Sequence, residues 1–390
     1  MHRHLKIIIA GGKTGGHLFP GIATAQALGD RLALGDRFKI CPLNTKLCPQ
    51  GPITVQILFV GTNTPFERQT LATYGFNHVA ISSRGIKGKG LWEKLSALAQ
   101  IPFSIVQAAR IITSFKPDLV LGVGGYSSGP VLMAARLLGK FTAIQEQNVI
   151  PGITNRILSL MVHKIFISFK DTKGFPPGAN TIHTGNPIRK ASFLEALKPH
   201  EIQGNSFAKN SFTLLITGGS QGASSINKAV VAAMELLENP SAYTVIHQTG
   251  KGDREWVANR YTKMHLNATA QAFFHDMPEL QKKADLIICR AGAGTLSEIT
   301  ALGKPAILVP YPHAADDHQR YNAMALEQQG AAMMILDHEL NGQVLGECIE
   351  QLRQHPEKLE KMARKAKNVG MPLARDTVAR EIIHLILKNR

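Results

Sequence analysis

Short apolar runs that end in glycine-rich turns recur along this chain, and they constrain its fold more than any other feature. The run Leu5–Ala10 leads directly into the pattern GGKTGG, and Phe212–Thr217 leads into GGSQGA. A third turn, GVGGYSSGP, overlaps the end of the strand-like segment Asp118–Gly122. Apolar runs separated by helical patterns indicate parallel strands that are buried on both faces. The pattern therefore predicts an α/β fold with glycine turns at the carboxyl ends of strands.

The remaining apolar runs continue this alternation through both halves. In the first half they predict strands at Val55–Val60, His78–Ile81, Thr142–Gln145 and Lys164–Ile167. In the second half they predict strands at Thr244–Gln248, Ala270–Phe274, Asp285–Cys289, Ala306–Val309 and Ala332–Leu336. We therefore predict two Rossmann-like domains, 1–189 and 190–372, whose parallel sheets face each other across a cleft. A helix in 373–390, with Val378, Ile382 and Ile386 on one face, is predicted to pack across their junction.

Composition limits the possible class of protein. A hydrophobic content of 44% and a charged content of 18% are typical of a soluble globular protein with a large core. No apolar run is long enough for a membrane span or a signal peptide, which predicts a cytoplasmic protein. The four cysteines are scattered, so neither a disulfide framework nor a structural metal is predicted. Two segments interrupt the pattern, and we interpret Cys41–Pro52 as an inserted loop and Lys198–Ser211 as the start of the second domain.

The net charge of +16 is unevenly distributed. Residues 1–189 hold 21 Lys and Arg against 7 Asp and Glu, whereas residues 190–390 hold 23 against 21. A basic half predicts a polyanionic partner, which can be a nucleic acid, an anionic membrane or an anionic substrate. In the segment 84–103, basic and apolar side chains alternate, which favours a peripheral membrane patch over core packing. The residues assigned to this patch are Ile86, Lys87, Lys89, Leu91 and Trp92.

Glycine turns that open a helix are typical of phosphate sites, because they expose N–H groups at the positive end of the helix dipole. The first turn is not a Walker A motif, since Ile7 stands where that motif needs a glycine. It is not a dinucleotide fingerprint either, since it has the form GGxxGG and the second predicted strand ends in VGT without an acidic residue. The chain has no D-x-D pair, which predicts that main-chain amides rather than a metal ion neutralise a diphosphate.

The second half contains the most informative motif, CRAGAGTLSEITALGKP, which follows a predicted strand. Thr295 and Ser297 lie at the predicted helix start, where they can bind phosphate oxygens. Glu298 can accept hydrogen bonds from both hydroxyls of a ribose, although a carboxylate near a helix start also interacts favourably with the helix dipole.

The motif PYPHAADDHQRYNA comes next and offers side chains suited to a sugar. Asp316 or Asp317 is predicted to cap a helix, which places His318, Gln319 and Asn322 near its start. Their polar groups suit the hydroxyls of a sugar, although such residues on a surface helix are more often only solvated.

Seven motifs occur in the order found in one family, namely GGKTGGHLFP, GGYSSGP, EQN, GNPIR, GGSQGA, RAGAGTLSE and HQRYNA. The chain therefore resembles the MurG family of bacterial glycosyltransferases over nearly its whole length. The resemblance implies a GT-B fold and inverting transfer of N-acetylglucosamine from UDP-N-acetylglucosamine to the C4 hydroxyl of undecaprenyl-diphospho-N-acetylmuramoyl-pentapeptide. It implies no metal at the nucleotide site and a peripheral position on the cytoplasmic face of the inner membrane. The product would be lipid II for peptidoglycan, and hence for cell shape and division, with other cell-wall synthesis proteins as partners.

The resemblance also assigns residues to the two substrates. The backbone of Phe274 would read uracil, Ser220 would lie near the diphosphate, and Glu298 would hold the ribose. The other donor residues are Thr14, Gly15, Gly16, Asn148, Arg189, Ala293, Gly294, Thr295, Leu296, Ser297, Gln319 and Asn322. The acceptor diphosphate would meet the third glycine turn, at Gly125, Tyr126 and Ser127.

An attacking alcohol is a weak nucleophile, so the reaction needs a base. His17 lies at a helix start, where the dipole disfavours its charged form, and a neutral imidazole can accept a proton. A role for His17 in positioning the acceptor diphosphate stays open as an alternative, and Glu146 is a rival base that could instead be held in an internal ion pair.

Two other function classes remain to be separated from this one. A glycolipid synthase or a sugar-nucleotide epimerase can share the fold, but an epimerase has no need of a membrane patch. A basic nucleic-acid-binding protein would need aromatic or helix-turn-helix features that the basic half lacks.

Overall fold

The computed structural model describes residues 3–12, 14–33, 53–82, 91–197 and 211–388. It divides the chain into two compact units, one of residues 1–190 with 373–390 and the other of residues 191–372. Each unit contains a fully parallel sheet, so the predicted α/β fold with two parallel sheets is confirmed. The insertion Cys41–Pro52, most of Lys198–Ser211 and the patch residues Ile86, Lys87 and Lys89 lie outside the described residues.

The first unit has a seven-stranded sheet in the order β3-β2-β1-β4-β5-β6-β7. Its strands are β1 (Arg3–Ala10), β2 (Ile53–Gly61), β3 (Asn77–Ala80), β4 (Leu119–Gly122), β5 (Phe141–Glu146), β6 (Lys164–Ile167) and β7 (Thr181–His183). Its helices are α1 (Gly15–Ala33), α2 (Pro65–Thr73), α3 (Leu91–Phe115), α4 (Ser128–Leu137), α5 (Ile153–Leu158) and, at the chain end, α14 (Ala374–Lys388). Helix α6 (Lys190–Leu197) connects to the second unit.

The second unit has a six-stranded sheet in the order β10-β9-β8-β11-β12-β13. Its strands are β8 (Phe212–Thr217), β9 (Tyr243–Gln248), β10 (Asn267–Gln271), β11 (Leu286–Cys289), β12 (Ala306–Leu308) and β13 (Met333–Met334). Its helices are α7 (Ser224–Leu236), α8 (Arg254–Lys263), α9 (Met277–Lys283), α10 (Ala293–Leu302), α11 (His318–Gln328), α12 (Gly342–Gln354) and α13 (Pro356–Val369). Short 3-10 turns lie at Pro240–Ala242 and Ala315–Asp317.

Strand β1 shows why continuous apolar runs form the sheet centre. Ile7 and Ile9 pack into one core cluster and Ile8 into another, and none of the three has exposed surface. A strand that is buried on both faces cannot alternate apolar with polar residues, so it needs helices on both sides. Helix α14 covers one face, since Val378 and Ile382 join the cluster of Ile7 and Ile9. The position of this helix across the domain junction stays a prediction.

Two strands differ from the sequence-based expectation. The expected strand Ala270–Phe274 was misplaced, because the structure has β10 at Asn267–Gln271 and places Phe274 in the following loop. The apolar run there does not indicate a strand, since β10 is an edge strand of alternating exposure and the buried Phe274 ring packs beyond its end. Strand β7 was not expected, because this edge strand has only three residues and the outer two are exposed.

A buried polar network lies in the core of the second unit. His247 has no exposed surface, its Nδ1 lies 2.7 Å from the Tyr261 hydroxyl, and its Nε2 lies 3.0 Å from Oδ1 of Asn227. Asn227 in turn donates from Nδ2 to the Thr249 carbonyl. Burial lowers the pKa of His247 to about 3, against a smaller opposite effect of Asp253. The folded protein therefore keeps this imidazole neutral.

This network makes the stability of the second unit depend on pH. Because the pKa of His247 is lower in the folded than in the unfolded chain, protons bind the unfolded state preferentially below about pH 6.5. We expect this group alone to lower the free energy of unfolding by about 2 kcal/mol between pH 6.5 and 5. Urea unfolding followed by Trp256 fluorescence, in a Trp92→Phe background, measures this loss. In His247→Gln the decline with falling pH should be shallower, and an unchanged slope would contradict the assignment.

Candidate functional site

The first unit brings two glycine turns into direct backbone contact. Gly11 and Gly124 have φ values of +127° and +96°, in the region that favours glycine. A Cβ on Gly11 would lie 2.2 Å from the Gly124 carbonyl oxygen, and one on Gly125 would lie 3.1 Å from the Gly12 oxygen. Only glycine permits this close approach, so the first and third turns form one continuous surface at the carboxyl edge of the sheet.

His17 lies at the centre of this surface. It belongs to the first turn of α1, where the helix has no acidic residue to offset its positive end. A Cβ on Gly124 would lie 2.6 Å from His17 Nδ1, so the imidazole rests directly on the third glycine turn. Thr14 and Gly16 beside it are exposed, and Gly15 is half-buried. The predicted donor-binding turn, the candidate base and the predicted acceptor turn therefore meet in one place.

The Glu146 side chain is buried and does not face solvent. Its side chain is 1% exposed, and burial raises the pKa of its carboxyl group against several opposing hydrogen bonds. Oε1 accepts from the backbone and side-chain nitrogens of Asn148 at 2.9 and 3.2 Å. Oε2 accepts from Asn155 Nδ2 at 2.8 Å and from the Gly152 backbone at 3.3 Å. The carboxylate is held by amide donors and not by the ion pair that was the expected alternative.

The other predicted residues of the first unit lie around the same turns. Arg189 is half-buried, with its guanidinium 5.7 Å from the centre of the Phe19 ring on α1. Tyr126 is half-buried in the third turn, whereas Ser127 is only 1% exposed at the start of α4. A direct contact from the Ser127 side chain therefore needs that helix start to move. Gln147 ties the third turn to β5 by donating to the Val123 carbonyl at 3.0 Å.

The second unit holds a cleft of about 600 Å³ at the carboxyl ends of its central strands. The starts of α7 and α10 meet there, so two sets of helix N–H groups point towards one space. Its walls are formed by Thr217, Gly218, Gly219, Gln221, Gly222, Ala223, Ser224, Ser225, Arg290, Gly292, Thr295, Tyr311, Pro312, His313, Gln319 and Asp337. Predicted residues Thr295 and Gln319 are among them, and Ser220 is exposed within the glycine turn that forms one wall.

Glu298 lies on α10 and is not among the residues that line this cleft. It is 8% exposed, and its two oxygens accept from Ser192 Oγ at 3.0 Å and from Gln281 Nε2 at 3.4 Å. On the same helix, Leu296 is buried in the core, and the Ser297 hydroxyl donates to the Ala293 carbonyl at 2.8 Å. The predicted phosphate contact of Ser297 therefore requires its hydroxyl to turn away from the helix.

The motif around α11 differs in detail from the expectation. Asp317 does stand immediately before the helix, but its φ is +51° and its side chain makes no capping hydrogen bond. Gln319 Oε1 accepts from the Tyr311 backbone at 3.0 Å, which holds the amide at the cleft. Asn322 has no exposed surface, and its Nδ2 donates to the Ala291 carbonyl at 3.3 Å. The structure thus places Asn322 as a support for the backbone of the cleft instead of in its lining.

Sequence reasoning missed two polar residues, Arg290 in the lining of the cleft and Gln248, which holds the glycine turn of its wall. Arg290 forms an ion pair with Asp337, donates to Ser225 Oγ at 2.9 Å, and lies 5.5 Å from the centre of the Tyr311 ring. A cation directly after a buried strand and beside a phosphate-type turn was the available signal. Gln248 is buried at the end of β9 and has no local motif to reveal it.

The predicted membrane patch is only partly within the described residues. Leu91 and Trp92 lie in the first turn of α3. None of the helices described is both long and apolar enough to cross a bilayer. Among the residues with described positions, no group of three His, Cys, Asp or Glu side chains could hold a metal ion.

Models of glycosyltransferase family 28 match both halves of the chain, the N-terminal domain over residues 41–167 and the C-terminal domain over residues 213–378. A protein of Myxococcus xanthus is 39% identical over 386 residues, which cover 99% of this chain and 94% of the relative. One of Syntrophus aciditrophicus is 42% identical over 367 residues, or 94% of each chain. Both are named UDP-N-acetylglucosamine–N-acetylmuramyl-(pentapeptide) pyrophosphoryl-undecaprenol N-acetylglucosamine transferase.

Solved structures agree with this result. MurG of Acinetobacter baumannii superimposes with a TM-score of 0.74 at 30% identity, covering 98% of this chain and 99% of its own. A UDP-N-acetylglucosamine 2-epimerase of Neisseria meningitidis, bound to UDP-N-acetylglucosamine, gives a TM-score of 0.65 at 17% identity, with coverage of 99% and 100%. The second likeness shows a shared fold and no more.

Proposed function

The chain belongs to glycosyltransferase family 28, and from that premise we propose that it makes lipid II for peptidoglycan. The enzyme transfers N-acetylglucosamine from UDP-N-acetylglucosamine to the C4 hydroxyl of undecaprenyl-diphospho-N-acetylmuramoyl-pentapeptide, with inversion. The observation that carries this proposal is the match over nearly the whole chain to relatives named for that reaction. The cleft of the second unit, which joins two helix starts, supports it as the place for the UDP diphosphate.

In this reaction, each of the residue groups described above has one role. The C4 oxygen attacks the anomeric carbon from the side opposite UDP, its proton passes to His17, and the bond from that carbon to the diphosphate breaks. The charge that develops on UDP is spread over the N–H groups of the Gly218–Ala223 turn and the start of α10. Because Glu146 is buried and holds Asn148 through two hydrogen bonds, we assign it a positioning role at the sugar. The third glycine turn receives the acceptor diphosphate.

We place the enzyme peripherally on the cytoplasmic face of the membrane. Its acceptor carries a polyprenyl chain, and residues 1–189 carry the excess of 21 basic over 7 acidic residues. On α3, downstream of the predicted patch, Phe103 is 56% and Val106 49% exposed. An excess of basic residues together with exposed apolar side chains favours binding to anionic lipid.

Glu298 provides a direct test of the ribose site. In Glu298→Gln we expect the KM for UDP-N-acetylglucosamine to rise about tenfold with little change in kcat, because one hydroxyl loses a charged acceptor. Wild-type enzyme should prefer UDP to 2′-deoxy-UDP as an inhibitor, and the variant should lose most of that preference. Ser192→Ala is the matched control, since it removes a hydrogen bond to Glu298 and leaves the carboxylate in place. If the preference for UDP survives in Glu298→Gln, the ribose lies elsewhere.

The overall proposal is tested by UDP release. Purified enzyme with UDP-N-acetylglucosamine should release UDP only when a short-chain lipid-linked muramoyl-pentapeptide is added, and the product should carry a β-linked N-acetylglucosamine by NMR. UDP release or epimerised sugar nucleotide without the acceptor would favour an epimerase. Binding of DNA without binding of the nucleotide would favour a nucleic-acid-binding protein.

A further inference from the structure

Gln248 is a buried side chain whose amide bonds two separate loops of the second unit. It ends β9, is 3% exposed, and reaches both the glycine turn after β8 and the loop after β10. We propose that Gln248 is a positioning residue that couples recognition of the nucleobase to recognition of the diphosphate. This inference rests on the proposed function, because it concerns the same UDP-sugar site.

One end of the side-chain amide fixes the glycine turn. Nε2 donates to the Gly219 carbonyl at 2.9 Å and to Thr217 Oγ1 at 3.2 Å. Thr217 Oγ1 also accepts from the Gly219 backbone nitrogen at 3.2 Å. Both backbone groups of Gly219 are therefore held by this pair of side chains, together with the Gly222 backbone nitrogen that donates to the Gly219 carbonyl at 3.1 Å. Gly219 has a φ of +86°. The direction of the neighbouring N–H groups, which would face the diphosphate, follows from this arrangement.

The other end of the amide fixes the segment that would read the base. Oε1 accepts from the Phe274 backbone nitrogen at 3.0 Å. Phe274 is 8% exposed and lies in the loop that follows edge strand β10, where the sheet's hydrogen bonds have ended. A base is discriminated by backbone groups only if they stand at a fixed place. A single planar amide holds both segments, so it fixes the Phe274 backbone relative to the glycine turn.

Gln248→Met removes the three hydrogen bonds that the Gln248 side chain makes, at nearly constant volume. We expect the KM for UDP-N-acetylglucosamine to rise at least about tenfold, and the ratio of UDP to CDP affinity, measured by calorimetry, to fall by about tenfold. A merely structural residue would weaken both nucleotides equally. Gln248→Glu keeps the oxygen that faces Phe274 and loses the donor to Gly219. It should therefore weaken both nucleotides while holding the UDP-to-CDP ratio within about threefold of wild type.

Thr249→Val is the control, since Thr249 is also buried and its hydroxyl donates to the Gly250 and Gln271 carbonyls. It should change the affinity ratio less than twofold, on the scale of ordinary uncoupled substitutions. An unchanged ratio in Gln248→Met, an equal fall in Thr249→Val, or a ratio lost in Gln248→Glu would each overturn the inference. If Gln248→Met does not fold, as judged by thermal melting, Gln248→Leu, which also lacks both hydrogen-bonding groups of the amide, is measured in its place. Wild-type enzyme that does not prefer UDP to CDP would also overturn the inference, whereas failure to release UDP when the lipid-linked acceptor is added would defeat the proposed function.

Discussion

Replacing His17 with alanine should lower kcat by about 10²- to 10⁴-fold, the contribution typical of a general base, with little change in the KM for UDP-N-acetylglucosamine. The imidazole rests on Gly124, where the first and third glycine turns meet, so the substitution removes a group from the surface and leaves both turns in place. Initial rates with a short-chain lipid-linked acceptor, varied one substrate at a time, measure the effect.

The pH dependence separates a base from a residue that only positions the acceptor. A protonated base cannot accept the hydroxyl proton, so the wild-type kcat should fall as the pH is lowered, and His17→Ala should lose that limb. A raised KM for the lipid acceptor with kcat preserved would instead identify His17 as a positioning residue.

Glu146→Gln is the matched comparison for His17→Ala. Its amide would face the N–H donors of Asn148, Gly152 and Asn155 with a nitrogen in place of one oxygen, and so disturb the loop that carries Asn148. We expect a raised KM for UDP-N-acetylglucosamine with the pH limb retained. If Glu146→Gln instead loses the fall in kcat at low pH, the buried carboxylate is the base.

The central strands were predictable because they consist of consecutive apolar residues. The stretch Ile7–Ala10 has no polar position and no exposed surface, and a parallel strand covered on both faces accommodates it. The glycine turns were predictable for a related reason, since glycine permits the approach of Gly11 to Gly124. Two edge strands, β7 and β10, were missed or misplaced, because each depends on one neighbouring strand and its side chains alternate in exposure.

Site residues were predictable where a local sequence motif marks them. They were not predictable where their role depends on a partner residue far away in the sequence. His17 and Thr295 stand at helix starts that the glycine patterns mark. Arg290 depends on Asp337, 47 positions away, and Gln248 on the Phe274 backbone, 26 positions away. The buried setting of Glu146 likewise arises from the loop that folds over it, so the sequence left it as a candidate base.

Among the substitutions near the predicted donor site, Gly222→Ala should lower the free energy of unfolding most. Gly222 has a φ of +78°, and an added Cβ would lie 2.0 Å from the Thr249 carbonyl oxygen, which already accepts from Asn227. The turn or the end of β9 must therefore move, and Asn227 is also the partner of buried His247. We expect a loss of at least about 3 kcal/mol in the free energy of unfolding of the second unit.

Gly219→Ala provides the comparison for Gly222→Ala, because Gly219 has a similar φ of +86° but no atom within 4 Å of the added Cβ. It should cost only the backbone strain, about 1–2 kcal/mol. Urea unfolding of both variants, followed by Trp256 fluorescence in the Trp92→Phe background, gives the difference, and the KM for UDP-N-acetylglucosamine should rise more in Gly222→Ala. Equal losses in the two variants would mean that the contact with Thr249 relaxes without cost, and that strain alone governs this turn.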